Sequence, residues 1–145
     1  MIKTVLVVCI GNICRSPMAE GLLREALPRL SVASAGLGAL IGKPADPTAT
    51  ELMAAFGLDI SRHRAQQFTG IQASQADLIL VMEREQKHEI QRRYPAASGK
   101  VFRLGELAKF DIPDPYLQPR EAFERALQQI QHGVQAWVPR IQALA

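Results

Sequence analysis

Short apolar runs alternate with amphipathic segments along the chain, and each type predicts a different element. Runs of apolar and β-branched residues predict buried strands. The predicted strands cover residues 4–8, 31–35, 77–82 and 101–104. Elsewhere, apolar residues recur every three or four positions, which predicts helices. The predicted helices cover residues 18–27, 48–56, 83–94 and a long segment that begins at residue 120.

The order of these elements predicts the fold class. Strands that alternate with helices form parallel βαβ units with right-handed crossovers. We therefore expect an α/β fold, a single three-layer domain over residues 1–145 with a parallel sheet of about four strands flanked by helices. Ligands of such sheets bind beyond the carboxyl ends of the strands.

Proline and glycine mark the ends of the predicted helices. Pro28 closes the first helix, and Gly57 caps the second, whose apolar face is expected to include Phe56. The last helix has an apolar stripe that indicates a core face rather than a coiled coil, because it is short and Pro139 is expected to interrupt it. The stripe consists of Phe123, Leu127, Ile130, Val134 and Trp137.

The composition supports a core and argues against several classes of function. Apolar residues make up 48% of the 145 residues, enough for one domain to bury a core. The net charge is only +3 and the arginines are scattered, so no nucleic-acid partner is expected. No apolar run approaches the roughly 20 residues of a membrane span, and no signal peptide is visible. We therefore expect a cytoplasmic protein with no membrane span.

The two cysteines indicate reactive chemistry rather than a disulfide framework, because a reducing compartment keeps thiols free. No cluster of Cys and His has the spacing of metal ligands, so neither a metal nor another cofactor is expected. The candidate chemistry lies instead in residues 9–17, Cys-Ile-Gly-Asn-Ile-Cys-Arg-Ser-Pro, directly after the first predicted strand.

This segment predicts a tight loop between a strand and a helix. Gly11 and Asn12 accept positive φ readily, and Pro17 suits the first turn of a helix. Such a loop turns successive backbone N–H groups toward one point, and the positive end of the helix dipole adds to the attraction for an anion. A phosphate-binding loop after the first strand is therefore expected.

Cys9 and Arg15 lie near the two ends of this loop. The planar guanidinium of Arg15 can hold two phosphate oxygens at once. The same positive surroundings favour the thiolate of Cys9, which is a nucleophile, and Ser16 can donate its hydroxyl to the sulfur. The alternative, that Cys9 and Cys14 are ordinary buried thiols, leaves the other polar residues of the loop unexplained.

Displacement of a phosphoryl group by a thiolate also requires a proton for the departing oxygen. Asp114 is the best candidate for this acid, because Pro113 and Pro115 hold it in a stiff loop. A tight surface turn would show the same pattern, and Asp111 is the alternative acid.

Two further loops allow more than one interpretation. Leu40 and Ile41 are apolar residues on a loop, where they either pack back on the body or form a wall for an apolar ligand. His63, taken alone, is interpreted as a structural hydrogen-bonding residue in preference to a catalytic base.

The string at residues 9–17 resembles the low-molecular-weight protein tyrosine phosphatase family, and Asp-Pro-Tyr at residues 114–116 is similar to its second motif. The resemblance implies that Cys9 forms a cysteinyl-phosphate and that Arg15 binds the phosphate. It also implies that Asp114 acts first as a general acid and then as a base that activates water.

The same resemblance implies roles for residues around the loop. Tyr116 would be a wall of the cleft, although Leu117 stands where many relatives have a second aromatic residue. Asn12, Ser34 and His63 would hold the phosphate loop from behind. The remaining residues expected to contact the phosphate or the substrate are Ile10, Gly11, Asn12, Ile13, Cys14, Ser16 and Leu40.

The resemblance also suggests a partner. The loop with Leu40 and Ile41 is most similar to the bacterial branch of the family, which works opposite the tyrosine autokinases of capsule and exopolysaccharide export. A phosphorylated autokinase is therefore the expected substrate, and inorganic phosphate the product. In this family Cys14 can form a reversible disulfide with Cys9; the alternative is that Cys14 is a small buried filler.

Two other functions stay open. An arsenate reductase on the same fold also presents a Cys and an Arg in an oxyanion loop, but its thioredoxin-coupled form needs further cysteines, and none follows Cys14. A non-catalytic phosphotyrosine-binding module is the second alternative.

Selectivity for phosphotyrosine over phosphoserine requires a deep pocket.

Overall fold

The computed structural model describes all residues from 1 to 145 and shows strands alternating with helices. The strands are β1 (Thr4–Cys9), β2 (Ser31–Gly36), β3 (Leu78–Val81) and β4 (Val101–Arg103). The helices are α1 (Arg15–Ala26), α2 (Pro47–Ala54), α3 (Gly70–Gln75), α4 (Arg84–Arg93) and α5 (Arg120–Leu144). Two short 3₁₀ helices cover Pro95–Lys100 and Glu106–Ala108.

The four strands form one parallel sheet in the order β2-β1-β3-β4, so the predicted fold class is confirmed. The central strand β1 is apolar on both faces because helices cover both. Val5, Val7 and Cys9 face the larger core cluster, which includes buried residues of α1, α2 and α5. Leu6 and Val8 face the smaller cluster, which includes buried residues of α3 and α4. Cys9, the last residue of β1, thus lies at the carboxyl edge of the sheet.

The end of α2 differs from the prediction. The helix ends at Ala54, and the side chain of Phe56 is exposed rather than part of the apolar face. The cause is a tight C-terminal turn in which Gly57 has φ +77° and Leu58 N–H donates to Met53 O at 3.1 Å. This turn rotates Phe56 away from the core.

Helix α5 continues through Pro139 to Leu144, so the predicted interruption is wrong. Proline leaves the carbonyl of Gln135 without an N–H partner. Both residues lie on the exposed side of the helix, where water can bond to that carbonyl. Ile141, beyond the proline, is fully buried, so continuing the helix places one more apolar side chain in the core. The predicted apolar stripe of α5 is buried as expected.

Helix α3 was not predicted. Its N-terminus has a capping box, in which Thr69 Oγ1 accepts from Gln72 N–H at 3.3 Å and Gln72 Oε1 accepts from Thr69 N–H at 2.9 Å. The Thr-x-x-Gln spacing is the signal in the sequence that would have revealed it. No helix of the protein has both the length and the apolar character needed to span a membrane.

Candidate active site

The loop between β1 and α1 has the strand–loop–helix form that the sequence predicts. Asn12 takes the left-handed conformation with φ 59°, whereas Gly11 does not use its freedom to adopt positive φ. The neighbouring Gly36 is needed for another reason. A Cβ atom there would lie 2.3 Å from the carbonyl oxygen of Ile10, so only glycine allows β2 to approach the loop this closely.

The carbonyl groups of the loop point outward and are bonded to other segments. Leu37 N–H donates to Cys9 O and Gly38 N–H donates to Ile10 O, each at 3.0 Å. Farther along the loop, its carbonyls accept from Leu40 N–H at 3.0 Å, from His63 Nε2 at 2.6 Å and from Asp46 N–H at 2.8 Å. The N–H groups of residues 10–14 donate to no backbone carbonyl. With their carbonyls held outward, these N–H groups face inward and form a cradle for an anion.

Cys9 lies at the base of this cradle and is only 2% exposed. Its Sγ is 3.0 Å from Ser16 Oγ. Ser16 Oγ also accepts from Asn12 Nδ2 at 2.7 Å, which leaves the hydroxyl proton of Ser16 free to point at the sulfur. The orientation of the Asn12 amide is fixed, because its Oδ1 accepts from Gln66 N–H at 2.9 Å. The geometry therefore directs one O–H donor at the sulfur, where it stabilises a thiolate.

A group of polar side chains holds Asn12 from behind. Asn12 Nδ2 donates to Ser34 Oγ at 3.0 Å, and Ser34 in turn donates to Glu20 Oε1 at 2.6 Å. His63 Nε2 lies 2.6 Å from Asn12 O, which fixes the proton on Nε2 because a carbonyl only accepts. The structure thus brings together Asn12, Ser34 and His63, as the family resemblance implies. Glu20 belongs to the same group and was not predicted.

Arg15 is 1% exposed, and its guanidinium is held from several sides. Nη1 donates to Glu83 Oε1 at 2.6 Å and to Ile112 O at 2.8 Å, while Nη2 lies 3.5 Å from Asp114 Oδ2. Nε is buried and has no partner within the protein. An unpaired buried donor is costly unless an acceptor meets it, so the Nε edge is suited to an anion. Glu83 was not predicted.

The two candidate acids have different surroundings. Asp114 Oδ1 accepts from Tyr116 N–H at 3.1 Å, and its other oxygen is the one near Arg15. Asp111 instead accepts from Arg103 Nη1 at 3.0 Å and from the backbone N–H of Arg84 at 3.1 Å. Asp111 therefore anchors the loop by an ion pair, whereas Asp114 lines the cavity above the thiol.

A cavity of about 120 Å³ joins most of the predicted site residues. It is lined by Cys9, Ile10, Gly11, Cys14, Arg15, Gly38, Leu40, Asp114 and Tyr116. Leu40 and Tyr116 are each 40% exposed and form the apolar walls of its mouth. Ile41 neither packs on the body nor lines the cavity, because it is 71% exposed. Leu117 is exposed as well and has positive φ.

Cys14 also lines this cavity but differs from Cys9 in its surroundings. Burial raises the pKa of the Cys14 thiol, and the negative charges of Asp46 and Asp114 raise it further. Cys14 therefore stays a neutral thiol at neutral pH. Both cysteines are free in this structure.

A wider cavity of about 470 Å³ lies behind the loop, with Glu20, Ser34 and His63 on its wall. It is lined by no cysteine, so the smaller cavity is the candidate active site. No group of three or more His, Cys, Asp or Glu side chains in the protein is arranged to hold a metal ion.

A buried thiol beneath an anion cradle, at the carboxyl edge of a parallel sheet, is the arrangement of the cysteine-dependent phosphatases. Comparison with known proteins identifies the family within this class. The chain belongs to the low molecular weight phosphotyrosine protein phosphatase family, which it matches over residues 4–145. The relatives most similar in sequence are named protein-tyrosine-phosphatases, and the chain is an enzyme of this kind.

Individual relatives cover almost the whole chain. The probable low molecular weight protein-tyrosine-phosphatase EpsP of Ralstonia nicotianae is 67% identical over 144 residues, or 99% of each chain. The low molecular weight protein-tyrosine-phosphatase Wzb of Salmonella typhimurium is 41% identical over 99% of this chain and 97% of its own. The structure of Vibrio vulnificus Wzb in complex with benzylphosphonate matches with a TM-score of 0.93 and 44% identity, covering 97% of this chain and 99% of that one.

Proposed function

We propose that Cys9, Arg15 and Asp114 carry out the phosphatase reaction of this protein, and that its substrate is a phosphotyrosine protein. The observation that supports this assignment best is the cradle itself. Its N–H groups have no backbone acceptor, and they surround the point toward which Cys9 Sγ and Arg15 converge.

In the first step, the phosphoryl oxygens occupy the cradle, where the N–H groups and the guanidinium of Arg15 offset their negative charge. The thiolate of Cys9 attacks phosphorus, so that an S–P bond forms while the bond from phosphorus to the tyrosine oxygen breaks. Asp114 donates its proton to that departing oxygen, which leaves as a neutral phenol. The position of Asp114 at the mouth of the cavity suits this role.

In the second step, water attacks the cysteinyl-phosphate. Asp114, now a carboxylate, accepts a proton from the water as its oxygen bonds to phosphorus. The S–P bond breaks, and the electron pair returns to Cys9 as a thiolate. The Ser16 hydroxyl, 3.0 Å from the sulfur, stabilises this leaving thiolate. Inorganic phosphate is the product, and no cofactor takes part.

The shape of the cavity supports selectivity for phosphotyrosine. Cys9 is 2% exposed, whereas the wall residues Leu40 and Tyr116 are each 40% exposed, so the nucleophile is recessed below the rim. A tyrosine ring between these walls spans the distance from the rim to the sulfur. The short side chain of phosphoserine does not, and it offers no ring to pack between them.

The physiological substrate in this proposal is a tyrosine autokinase of capsule or exopolysaccharide production, dephosphorylated in the cytoplasm. The similarity of the loop that carries Leu40 and Ile41 to the bacterial branch of the family supports this choice. The similarity to proteins named Wzb and EpsP supports the placement in that branch. The choice can be checked by comparing a phosphorylated autokinase tail with an unrelated phosphotyrosine protein, where equal rates would contradict it.

The assignment of the nucleophile is tested with Cys9→Ser. We expect this variant to lose hydrolysis of phosphotyrosine peptides and aryl phosphates while it still binds inorganic phosphate, because the cradle remains. Cys14→Ser is the matched control and should retain hydrolysis. Unchanged hydrolysis by Cys9→Ser would refute the nucleophile.

The acid is tested with Asp114→Ala on a series of aryl phosphates. The variant should slow substrates with basic leaving groups more than those with acidic leaving groups, because only the former need a proton. Asp111→Ala is the control and should slow the whole series alike. A uniform effect of Asp114→Ala would exclude it as the acid.

A further inference from the structure

The loop that carries Asp114 has cavities on both of its sides. On one side Asp114 lines the small cavity above Cys9. On the other side a cavity of about 350 Å³ lies between this loop and helix α5. The loop contributes Pro113, Asp114 and Pro115 to its wall, so the same aspartate borders both cavities.

The second cavity continues along α5. Gln128 and Gln129 line it together with Arg125, and both glutamines also line a further cavity of about 270 Å³. That cavity ends at Phe110 and His132, whose rings lie 5.7 Å apart. We call these two adjoining cavities the α5 groove.

The α5 groove has the length of a short peptide segment. The residues of α5 that line it run from Ala122 to His132. At 1.5 Å per helical residue this is roughly 15 Å, the length of about four or five residues of extended chain. Because the groove begins at Asp114, a chain lying in it would lead directly away from the active site.

Away from the active site, the only charged side chain that lines the groove is the positive Arg125. Arg125 is exposed and makes neither an ion pair nor a hydrogen bond, whereas Arg120 on the same helix pairs with Glu51 at 2.9 Å. Asp114 is the only carboxylate among the residues that line the groove. The amides of Gln128 and Gln129 can donate to and accept from a peptide backbone. These groups are complementary to an extended segment with a negatively charged side chain.

We propose that the α5 groove binds the segment next to the phosphotyrosine of the protein substrate, and that Arg125 selects a negatively charged side chain in that segment. This inference rests on the proposed function, since it needs a phosphotyrosine in the adjoining cavity. Arg125 acts here as a specificity residue and takes no part in the chemical step. The negative group is either a carboxylate or a second phosphoryl group, and both offer the same acceptor oxygens to a guanidinium.

The experiment compares kcat/KM for phosphotyrosine peptides that differ at one neighbouring position. One series carries Glu, Gln, Lys or a second phosphotyrosine on the N-terminal side, and another carries the same residues on the C-terminal side. In one of the two series the wild type should prefer Glu over Gln by about 1.5- to 5-fold, the range that an exposed ion pair supplies. If the second phosphotyrosine gives the larger preference, the better ligand of Arg125 is a phosphoryl group. If Glu gives the larger preference, the better ligand is a carboxylate.

Variants assign this preference to Arg125. Arg125→Gln should remove it, and Arg125→Glu should reverse it in favour of Lys. Hydrolysis of phenyl phosphate, which is too small to reach the groove, should stay unchanged in both. Arg140→Gln is the matched control, because Arg140 is an exposed residue of α5 that does not line the groove.

Two results would overturn the inference. One is equal kcat/KM for all peptides of both series in the wild type. The other is an equal loss on phenyl phosphate and on peptides in Arg125→Gln, which would show a general effect on the active site. Failure of the proposed function looks different, because then neither phenyl phosphate nor any peptide would be hydrolysed.

Discussion

Asn12 links the backbone shape of the phosphate loop to the surroundings of the Cys9 thiol, so we expect its replacement to affect both the stability and the rate of the enzyme. Its side chain makes three buried or partly buried hydrogen bonds, with Ser16, Ser34 and Gln66. Losing them costs about 1 kcal/mol each. Asn12→Ala also places a Cβ-bearing residue without a polar side chain at φ 59°, which adds about 1 kcal/mol.

We therefore expect the free energy of unfolding to fall by about 4 kcal/mol in Asn12→Ala and by about 3 kcal/mol in Asn12→Gly. Both values are below the roughly 5–15 kcal/mol of a typical domain, so both variants should fold. In both, the Ser16 hydroxyl is no longer directed at the sulfur. Removal of one preorganised donor lowers kcat/KM by about 10²-fold, and this loss should be shared by the two variants.

Urea unfolding and aryl phosphate kinetics separate the two effects. Lys109 has nearly the same left-handed backbone, with φ 60°, but lies outside the phosphate loop. Lys109→Gly should therefore raise stability by no more than about 1 kcal/mol and leave kcat unchanged. Equal stability of the Ala and Gly variants at position 12 would refute the backbone argument. Wild-type kcat/KM in Asn12→Gly would refute the hydrogen-bond argument.

Three further predictions concern the surroundings of the loop. Glu83→Ala should lower kcat/KM more than Glu83→Gln, because only Gln keeps an acceptor for the guanidinium of Arg15; equal losses would exclude this role. Gly36→Ala should reduce both urea stability and activity, since its Cβ would lie 2.3 Å from Ile10 O, whereas Gly99→Ala, in open space, should not. Burial raises the pKa of the Cys14 thiol from 9.0, so the unfolded chain loses that proton first as pH rises. Stability should therefore fall above about pH 9, by up to about 1.4 kcal/mol per pH unit for this group, and Cys14→Ala should lack that part of the fall.

Local patterns were sufficient to predict the sheet and the central loop. The strand at residues 77–82, for example, is a continuous apolar run, and the structure contains β3 (Leu78–Val81) there. The loop was predictable because its chemistry lies in nine consecutive residues. Asn12 at positive φ and Ser16 beside the sulfur follow from residue types that suit those positions.

Contacts between distant parts of the chain were not predictable. Glu83 follows β3 and binds Arg15, which lies 68 positions earlier in the chain, because the carboxyl ends of β1 and β3 adjoin in the sheet. The local sequence of Glu83 gives no sign that it pairs with Arg15 when the acidic residues of α4 that follow it do not. The prediction that Pro139 interrupts the last helix was wrong for a related reason. The free-energy cost of a proline within a helix depends on whether the carbonyl that loses its N–H partner can bond to water, and the sequence does not show this.

The hydrogen bonds that hold the carbonyls of the phosphate loop outward affect how the enzyme binds its substrate. Segments that follow β2 and α2 fix the loop carbonyls, so the inward N–H groups take their orientation when the chain folds. The loop then needs little rearrangement when a phosphate binds. The entropy cost of ordering the loop is already met by folding, so it does not weaken the affinity for phosphate. Mutations far from the thiol that loosen these ties should therefore weaken inhibition by inorganic phosphate at temperatures where the protein is still folded.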